Sequence, residues 1–197
     1  MPRVHRRLRV FGRKTVYRGK IVQLEIDRIK EPSGVTADRE VVVHGGSAVV
    51  LAHLDDGRLL LVRQYRYAAR RWLWELVAGG IEPGESVEKG ARRELKEETG
   101  YRARTLRRLF DFYPSPGFLT ERMSLVEARG LTKSRAAPEP DEVLELGSFT
   151  RIELKKMVAR GKIQDGKTLV GLLWLFNACN FEARSDARRG WRNTIFS

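Results

Sequence analysis

The chain has 197 residues, which suits one domain with at most a small appendage and is enough to bury a hydrophobic core without disulfides. Hydrophobic residues make up 42% and charged residues 32% of the sequence, which excludes a disordered chain. The single cysteine excludes an internal disulfide and favours a reducing compartment. Because residues 1–20 are polar and no apolar run reaches about 18 residues, we expect a soluble, cytoplasmic protein without a membrane segment.

The formal net charge of +13 is concentrated at the N-terminus. Eight cationic side chains precede the first acidic residue, Glu25; they are Arg3, Arg6, Arg7, Arg9, Arg13, Lys14, Arg18 and Lys20. Such an arm can bind nucleic acid or a membrane surface, or it can be a solvated segment of an enzyme with a polyanionic substrate. The arm has neither interleaved aromatic residues nor an amphipathic repeat, which disfavours nucleic acid and membrane partners.

Eight segments with alternating or β-branched apolar residues predict strands. They are Ile21–Ile29, Arg39–His44, Ser47–Leu54, Arg58–Gln64, Trp72–Val77, Tyr101–Tyr113, Glu121–Ala128 and Val143–Thr150. Helical periodicity predicts three helices, at Glu85–Thr99, Ile152–Arg160 and about Lys167–Asn180. Asp165 is a plausible cap of the last helix, Glu31–Gly34 and Asp55–Gly57 are expected turns, and Leu131–Pro140 is an expected loop.

This order of elements predicts an α/β fold, a sandwich of helices around a mixed sheet. Gly45-Gly46 divides the chain into two parts. The first part, residues 1–45, is a basic arm followed by a small β-rich segment. The second, residues 46–180, is the main domain, and residues 181–197 form a C-terminal tail.

The predicted helix Glu85–Thr99 has a cap and an apolar face. Ser86 is suited to cap its first turn. Residues four apart form the buried stripe, namely Val87, Ala91 and Leu95. One interpretation is an ordinary surface helix whose glutamates are solvated and paired with Lys89, Arg92 and Lys96.

The spacing of the glutamates favours a metal site instead. Glu94 and Glu98 are four residues apart on a second face of the helix, with Glu97 beside them. Two carboxylates about 4 Å apart repel by roughly 4 kcal/mol at an effective dielectric of 20. A hard dication removes that repulsion, and oxygen-only ligands select Mg²⁺ or Mn²⁺ over zinc. Arg93 can pair with Glu85 or Glu97 and hold the ligands in place.

The region from Gly79 to Tyr101 resembles the Nudix box, G-x5-E-x7-R-E-U-x-E-E-x-G-U. The matching residues are Gly79, Glu85, Arg93, Glu94, Leu95, Glu97, Glu98 and Gly100. Tyr101 departs from the usual aliphatic residue, at a position that packs without reacting. The resemblance implies the Nudix α/β/α sandwich and hydrolysis of a diphosphate linkage.

The flanking sequence resembles the ADP-ribose pyrophosphatase branch of that family. The similar segments are Arg63–Arg66, Glu75–Gly79, Ser115-Pro116-Gly117 followed by Glu121, and Gly161–Thr168. Val77 replaces a common proline. The branch implies conversion of ADP-ribose to AMP and ribose 5-phosphate. The alternatives are GDP-mannose or a UDP-sugar as substrate and, from another class, a basic nucleic-acid-binding protein that has kept the fold without hydrolysis.

The resemblance also implies a role for each matching residue. The metal would be held by the Ala78 carbonyl and by Glu94 and Glu98, with Glu97 as an additional or indirect ligand. A late acidic loop would provide Glu139 as catalytic base and Glu142 or Asp141 as a further metal ligand. Nucleotide or ribose contacts would come from Arg39, Arg66 and Glu121, and from the turn containing Ser115 and Gly117. In relatives the N-terminal segment crosses to a second subunit, which implies a homodimer with shared sites.

Overall fold

The computed structural model describes residues 8–136 and 143–177, which form two β-sheets and three α-helices. The smaller sheet is antiparallel, with the order β1-β2-β3. Its strands are Arg9–Arg18 (β1), Gln23–Lys30 (β2) and Thr36–Val43 (β3). The predicted turn joins β2 to β3: the Gly34 amide donates to the Glu31 carbonyl at 2.8 Å, and the φ of 91° at Gly34 is one that glycine adopts without strain. The predicted tail, residues 181–197, lies outside the described residues.

The larger sheet has seven strands and carries the core. They are Ser47–His53 (β4), Leu59–Arg66 (β5), Arg71–Glu75 (β6), Val77–Gly80 (β7), Tyr101–Phe112 (β8), Met123–Lys133 (β9) and Leu144–Phe149 (β10). The order is β10-β5-β4-β9-β8, with β6 beside β5 and β7 beside β4. Strand β4 is parallel to β9 and antiparallel to β5 and β7, so the sheet is mixed, as predicted.

Helices cover both faces of this sheet. They are Val87–Thr99 (α1), Arg151–Ala159 (α2) and residues 166–177 (α3). Ala48 and Val50 pack in the core cluster that includes α1, whereas Val49 and Leu51 pack in the cluster that includes α2 and α3. This alternation explains why β4 is apolar throughout and confirms the α/β/α sandwich. Within the described ranges, no helix is long and apolar enough to cross a membrane.

Two of the differences from the predicted element boundaries have a clear physical cause. The segment Trp72–Val77 is not one strand, because the amide of Leu76 donates to Thr168 Oγ1 at 2.8 Å. This bond separates β6, which pairs with β5, from β7, which pairs with β4. The expected loop from Leu131 begins later, since Leu131 is 8% exposed and pairs with Ala103 in β8. Burial of an apolar side chain there extends β9 to Lys133.

Part of the basic arm is a strand, which the sequence analysis did not predict. Arg13 of β1 forms a two-pronged pair with Asp27 of β2, at 2.6 and 2.8 Å, and lies 3.1 Å from Glu25. The hydrogen bond from Arg13 holds the pKa of Asp27 below its ordinary value. Acidic residues on β2 therefore attach β1 to the sheet. Arg3, Arg6 and Arg7 lie outside the described residues.

A buried carboxylate connects α3 to the sheet. Glu75 is 1% exposed and accepts two hydrogen bonds from Arg66, at 2.8 and 2.6 Å, and a further one from Lys167. Lys167 also lies 3.0 Å from Asp165, whose carboxylate accepts from the Thr168 amide and so caps α3, as predicted. The two cations offset the cost of burying the Glu75 charge.

Candidate active site

Ser86 and Gly100 set the two ends of helix α1. Ser86 has an extended backbone and its hydroxyl accepts from the Lys89 amide at 3.3 Å, which confirms the predicted cap. The helix starts at Val87, so Glu85 belongs to the preceding loop, where its carboxylate accepts from the Glu82 amide at 3.1 Å. At the other end Gly100 has a φ of 70° and terminates the helix in the left-handed conformation.

The apolar stripe of α1 packs against the main sheet and fixes the helix there. Ala91 and Leu95 are completely buried, and Val87 is partly buried against the same cluster. This docking sets the distance between α1 and β7. The neighbouring face of the helix, which bears Glu94 and Glu98, is thereby brought to the strand that contains Ala78 and Gly79.

The closest approach between the two elements is at Gly79. A Cβ atom at position 79 would lie well under 3.0 Å from all three atoms of the Glu94 carboxylate, a separation that real Cβ atoms essentially never show. The absence of a side chain at Gly79 therefore makes room for this carboxylate. Gly80 differs, because a Cβ atom there would meet no atom within 4 Å.

Arg93 is the centre of the charge network on α1. Its guanidinium lies 2.6 Å from Glu94, 3.2 Å from Glu97 and 3.2 Å from Glu85. It also donates to the Gly80 carbonyl at 2.7 Å. One cation thus joins three carboxylates to strand β7. The sequence analysis predicted pairing with Glu85 or Glu97, and the structure shows both together with Glu94.

These contacts shift the pKa of the groups involved. The hydrogen bond from Arg93 holds the pKa of Glu85 below its ordinary value, and Glu85 in turn is the main cause of a raised pKa at Arg93. A carboxylate with a lowered pKa stabilises the fold at neutral pH, and this contribution is lost as the pH falls through the shifted pKa. The network is therefore complete at neutral pH.

The three glutamates of the box differ in exposure. Glu98 is buried, with 7% of its surface exposed, whereas the Glu94 side chain is 14% and the Glu97 side chain 37% exposed. The pKa of Arg66 is raised chiefly by its hydrogen bond to Glu75 and, among smaller causes, by the charge of Glu98. Arg66 on β5 and Glu98 on α1 therefore attract each other weakly.

The donor set fits a hard divalent cation. Glu94, Glu97 and Glu98 offer only carboxylate oxygens, and Gly79 leaves a side-chain-free space against one of them. Among residues 8–136 and 143–177, no group of three or more histidine, cysteine, aspartate or glutamate side chains is assembled as a metal centre. The predicted loop ligand Glu142 and the predicted base Glu139 lie outside the described residues. The structure therefore describes the part of the candidate site on α1 and β7 and not residues 137–142.

Glu121, a predicted substrate contact, lies close to β7, the strand that contains Gly79 and Gly80. Its carboxylate accepts from the Ser47 hydroxyl at 2.5 Å and lies 3.5 Å from His44 Nδ1. Ser47 pairs with Gly80 across β4 and β7. Glu121 thus contacts β4, and the neighbouring strand β7 is the one that α1 approaches at Gly79.

The turn with Ser115 and Gly117 is attached to the smaller sheet. The Val42 amide donates to the Phe118 carbonyl at 2.7 Å, and the Val42 carbonyl accepts from the Thr120 amide at 3.0 Å. The Ser115 carbonyl closes the turn by accepting from the Leu119 amide at 3.0 Å. Strand β3 therefore holds the segment that leads to Glu121.

The two predicted arginines occupy different places. Arg66 lies at the end of β5, where it is held by Glu75. Arg39 lies in β3 of the smaller sheet, where it pairs with Glu31 at 2.5 Å and its side chain is 50% exposed. Within the single chain the structure thus places Arg66 on the main sheet and Arg39 on the N-terminal sheet.

Sequence reasoning missed four residues that support the site. These are His44 and Ser47, which contact Glu121, and Glu75 and Lys167, which fix Arg66 and α3. Glu75 gave a usable signal, because a single carboxylate within the apolar segment Trp72–Val77 implies a buried cationic partner. For Ser47, the signal was a small polar residue at the start of a buried strand.

Comparison with known proteins agrees with this geometry. A family model described as NUDIX domain matches residues 43–169. The chain is 33% identical over 169 residues to an ADP-ribose pyrophosphatase of Bacillus subtilis, covering 85% of this chain and 91% of that protein. It is 35% identical over 163 residues to an ADP-ribose pyrophosphatase of Mycobacterium tuberculosis, covering 81% and 79%.

Two further comparisons extend the picture. A methanol dehydrogenase activator of Bacillus methanolicus is 34% identical over 174 residues, covering 85% of this chain and 94% of that protein. The crystal structure of an ADP compounds hydrolase superposes with a TM-score of 0.81 at 22% identity, over 93% of this chain and all of that chain, which supports the fold.

The chain belongs to the Nudix family and is a Nudix hydrolase. Within that family it is similar to ADP-ribose pyrophosphatases over most of its length. Nudix hydrolases generally need divalent cations, in agreement with the oxygen donors on α1.

Replacement of Gly79 tests the contact between β7 and Glu94. We expect Gly79→Ala to lower kcat for hydrolysis of a diphosphate substrate by roughly 100-fold, because the added methyl group displaces the Glu94 carboxylate and a misplacement of about 1 Å has effects of that size. Steady-state kinetics at a saturating concentration of divalent cation measure this. Gly80→Ala is the matched control and should retain the parental kcat, since its Cβ has open space. Parental kcat in Gly79→Ala would contradict the role of this contact.

Removal of the Arg93 cation should give a pH-dependent loss of stability. The free energy of unfolding of Arg93→Met should fall most, relative to the parent, at neutral pH, because Glu85 loses the cation that lowers its pKa. The difference should narrow below about pH 4.3, the ordinary glutamate value, as the pH falls through the lowered pKa of Glu85. Urea unfolding at several pH values measures it. In the control Arg92→Met, which loses a bond to the Ala103 carbonyl, the difference should not vary with pH.

Proposed function

We propose that this Nudix hydrolase uses Mg²⁺, with Mn²⁺ as a substitute, to hydrolyse the diphosphate linkage of ADP-ribose and release AMP and ribose 5-phosphate. The observation that carries the proposal is the fit of the Glu94 carboxylate into the space left by Gly79. It brings an oxygen donor of the helix to the strand whose Ala78 carbonyl is the other expected ligand. The substrate is supported by the relatives named ADP-ribose pyrophosphatase, which align with most of the chain.

The proposed metal ligands are the Ala78 carbonyl, Glu94, Glu98 and, from the loop, Glu142. When bound, the cation would neutralise charge on the diphosphate oxygens and lower the pKa of a water molecule. Arg93 keeps Glu94 oriented through its 2.6 Å contact and balances the charge of Glu97. Glu97 then lies at the rim, where it assists as an additional or indirect ligand.

The chain's own groups complete the reaction. Glu139 takes the proton of the attacking water as general base, and the attack is in line with the leaving phosphate. The same acidic segment provides Glu142 or Asp141 as the further metal ligand.

Substrate recognition is assigned to polar groups at β5 and in the segment from Ser115 to Glu121. Arg66, fixed by Glu75, offers positive charge to the diphosphate. Glu121 accepts ribose hydroxyls, and the turn with Ser115 and Gly117 lines the sugar. A site built from such groups rejects analogues that leave them unpaired.

We also propose a homodimer formed through residues 1–45. Strand β1 exposes large apolar side chains along its length, including Val10 at 50%, Phe11 at 58%, Val16 at 49% and Tyr17 at 58% exposure. Several large exposed apolar side chains on one strand are typical of an interface. A second copy of the chain would cover β1 and bring Arg39 to the partner's site.

A substrate panel tests the proposed reaction. With Mg²⁺, kcat/KM should be highest for ADP-ribose among ADP-ribose, GDP-mannose, a UDP-sugar and ATP, with AMP and ribose 5-phosphate as products. Glu94→Gln and Glu98→Gln should each lower kcat on the order of 100-fold, because charge stabilisation at the diphosphate is lost. A sugar nucleotide that exceeds ADP-ribose by about tenfold, or roughly 1.4 kcal/mol, would contradict the substrate assignment. Parental kcat in both glutamate variants would contradict the metal assignment.

Surface substitutions on β1 test the dimer without removing β3. Deletion of residues 1–45 would also remove Val42, which anchors the Ser115 turn within the same chain. The double variant Phe11→Ser and Tyr17→Ser should instead be monomeric by light scattering and should lose activity together with dimerisation. The control Val35→Ser removes an exposed apolar side chain at the β2–β3 turn and should remain dimeric. A monomeric parent with full activity would refute the proposal.

A further inference from the structure

Helix α1 carries a second charged face that the hydrolytic site does not use. Its outer side bears Lys89, Arg92 and Lys96, and Arg102 at the start of β8 lies beside them. An ordinary solvated helix would pair these cations with the glutamates of the same helix. The structure pairs those glutamates with Arg93 instead. Cations and carboxylates of α1 are thus separated onto different faces.

The four cations line an open groove with a volume of about 530 Å³, together with Arg93 and Glu97. The four are Lys89, Arg92, Lys96 and Arg102, and no carboxylate of the described residues forms an ion pair with any of them. Arg92 donates to the Ala103 carbonyl, which is a neutral group. The charge of Arg93 is shared among carboxylates. The groove therefore carries four positive charges that are not held in ion pairs with carboxylates of the described residues.

We propose that this groove binds the phosphate chain of a small polyphosphate, on the cationic face of α1 that adjoins the hydrolytic centre at Arg93 and Glu97. Lysine and arginine are the side chains that proteins use to bind phosphate oxygens. Lys89 and Lys96 are separated by roughly 10 Å along the helix at 1.5 Å per residue, which suits several linked phosphates better than a single one. A bound chain would also relieve the mutual repulsion of the four cations.

The carboxylates beside the groove favour a small molecule over a nucleic acid. Beyond Arg93 and Glu97 lie the carboxylates of Glu85 and Glu94, which would repel a phosphate backbone that continued past them. A nucleic acid needs a path for its backbone in both directions, whereas a short polyphosphate ends within the groove. The same carboxylates keep a metal-free polyphosphate out of the hydrolytic centre.

Calorimetric titration of the full chain with tripolyphosphate tests the proposal. A metal-free buffer prevents chelation and hydrolysis, so binding is measured alone. The parent should bind one tripolyphosphate, with an affinity that decreases as salt is added. The triple variant Lys89→Gln, Lys96→Gln and Arg102→Gln should bind at least tenfold more weakly, or about 1.4 kcal/mol. Its kcat for ADP-ribose should equal that of the parent, which separates this site from the proposed reaction.

A charge-matched variant is the control. Lys156→Gln, Arg160→Gln and Lys162→Gln remove the same number of charges from exposed positions on and just after α2, and this variant should bind like the parent. Absence of binding to the parent would overturn the proposal, as would an equal loss in both variants. Tighter binding of a short single-stranded oligonucleotide than of tripolyphosphate, lost in the groove variant, would overturn it in favour of a nucleic-acid surface.

Discussion

The close approach of Glu94 to Gly79 is the constraint on which the site depends. Docking of Ala91 and Leu95 into the core sets the position of α1, and the glycine determines how near its charged face comes to β7. Any side chain at position 79 would keep the carboxylate away from the strand. The packing of α1 therefore also positions its oxygen donors, because the same rigid helix carries the apolar stripe and the glutamates.

The other half of the site depends on contacts between the two sheets. Strand β3 holds the turn before Glu121 through the backbone of Val42, and His44 and Ser47 hold the Glu121 carboxylate itself. The N-terminal sheet thus positions Glu121, the proposed substrate contact, within its own chain. This role is independent of a second subunit, because β3 precedes the entry of the chain into the main sheet at Ser47.

Features that depend on neighbouring residues could be predicted from the sequence, and features that depend on distant ones could not. Ser86 caps α1 and Gly100 ends it through hydrogen bonds within a few residues, so pattern reasoning found them. The break at Leu76 comes from a bond to Thr168, 92 residues away, which no local pattern contains. Strand β1 was missed for a similar reason: its cations read as solvent-facing until Asp27 in β2 provides the partner.

The charge arrangement on α1 links its chemistry to its surface. Arg93 lies between the two charged faces and engages three carboxylates, whereas the outer cations form no ion pair with a carboxylate of the described residues. A helix with its charges evenly mixed would satisfy them by pairs three or four residues apart, and neither face would have a field of its own. Separation costs stability through like-charge repulsion on each side, and bound ions of opposite sign offset it. The carboxylate face therefore favours cations, and by the same physical argument the outer face favours anions.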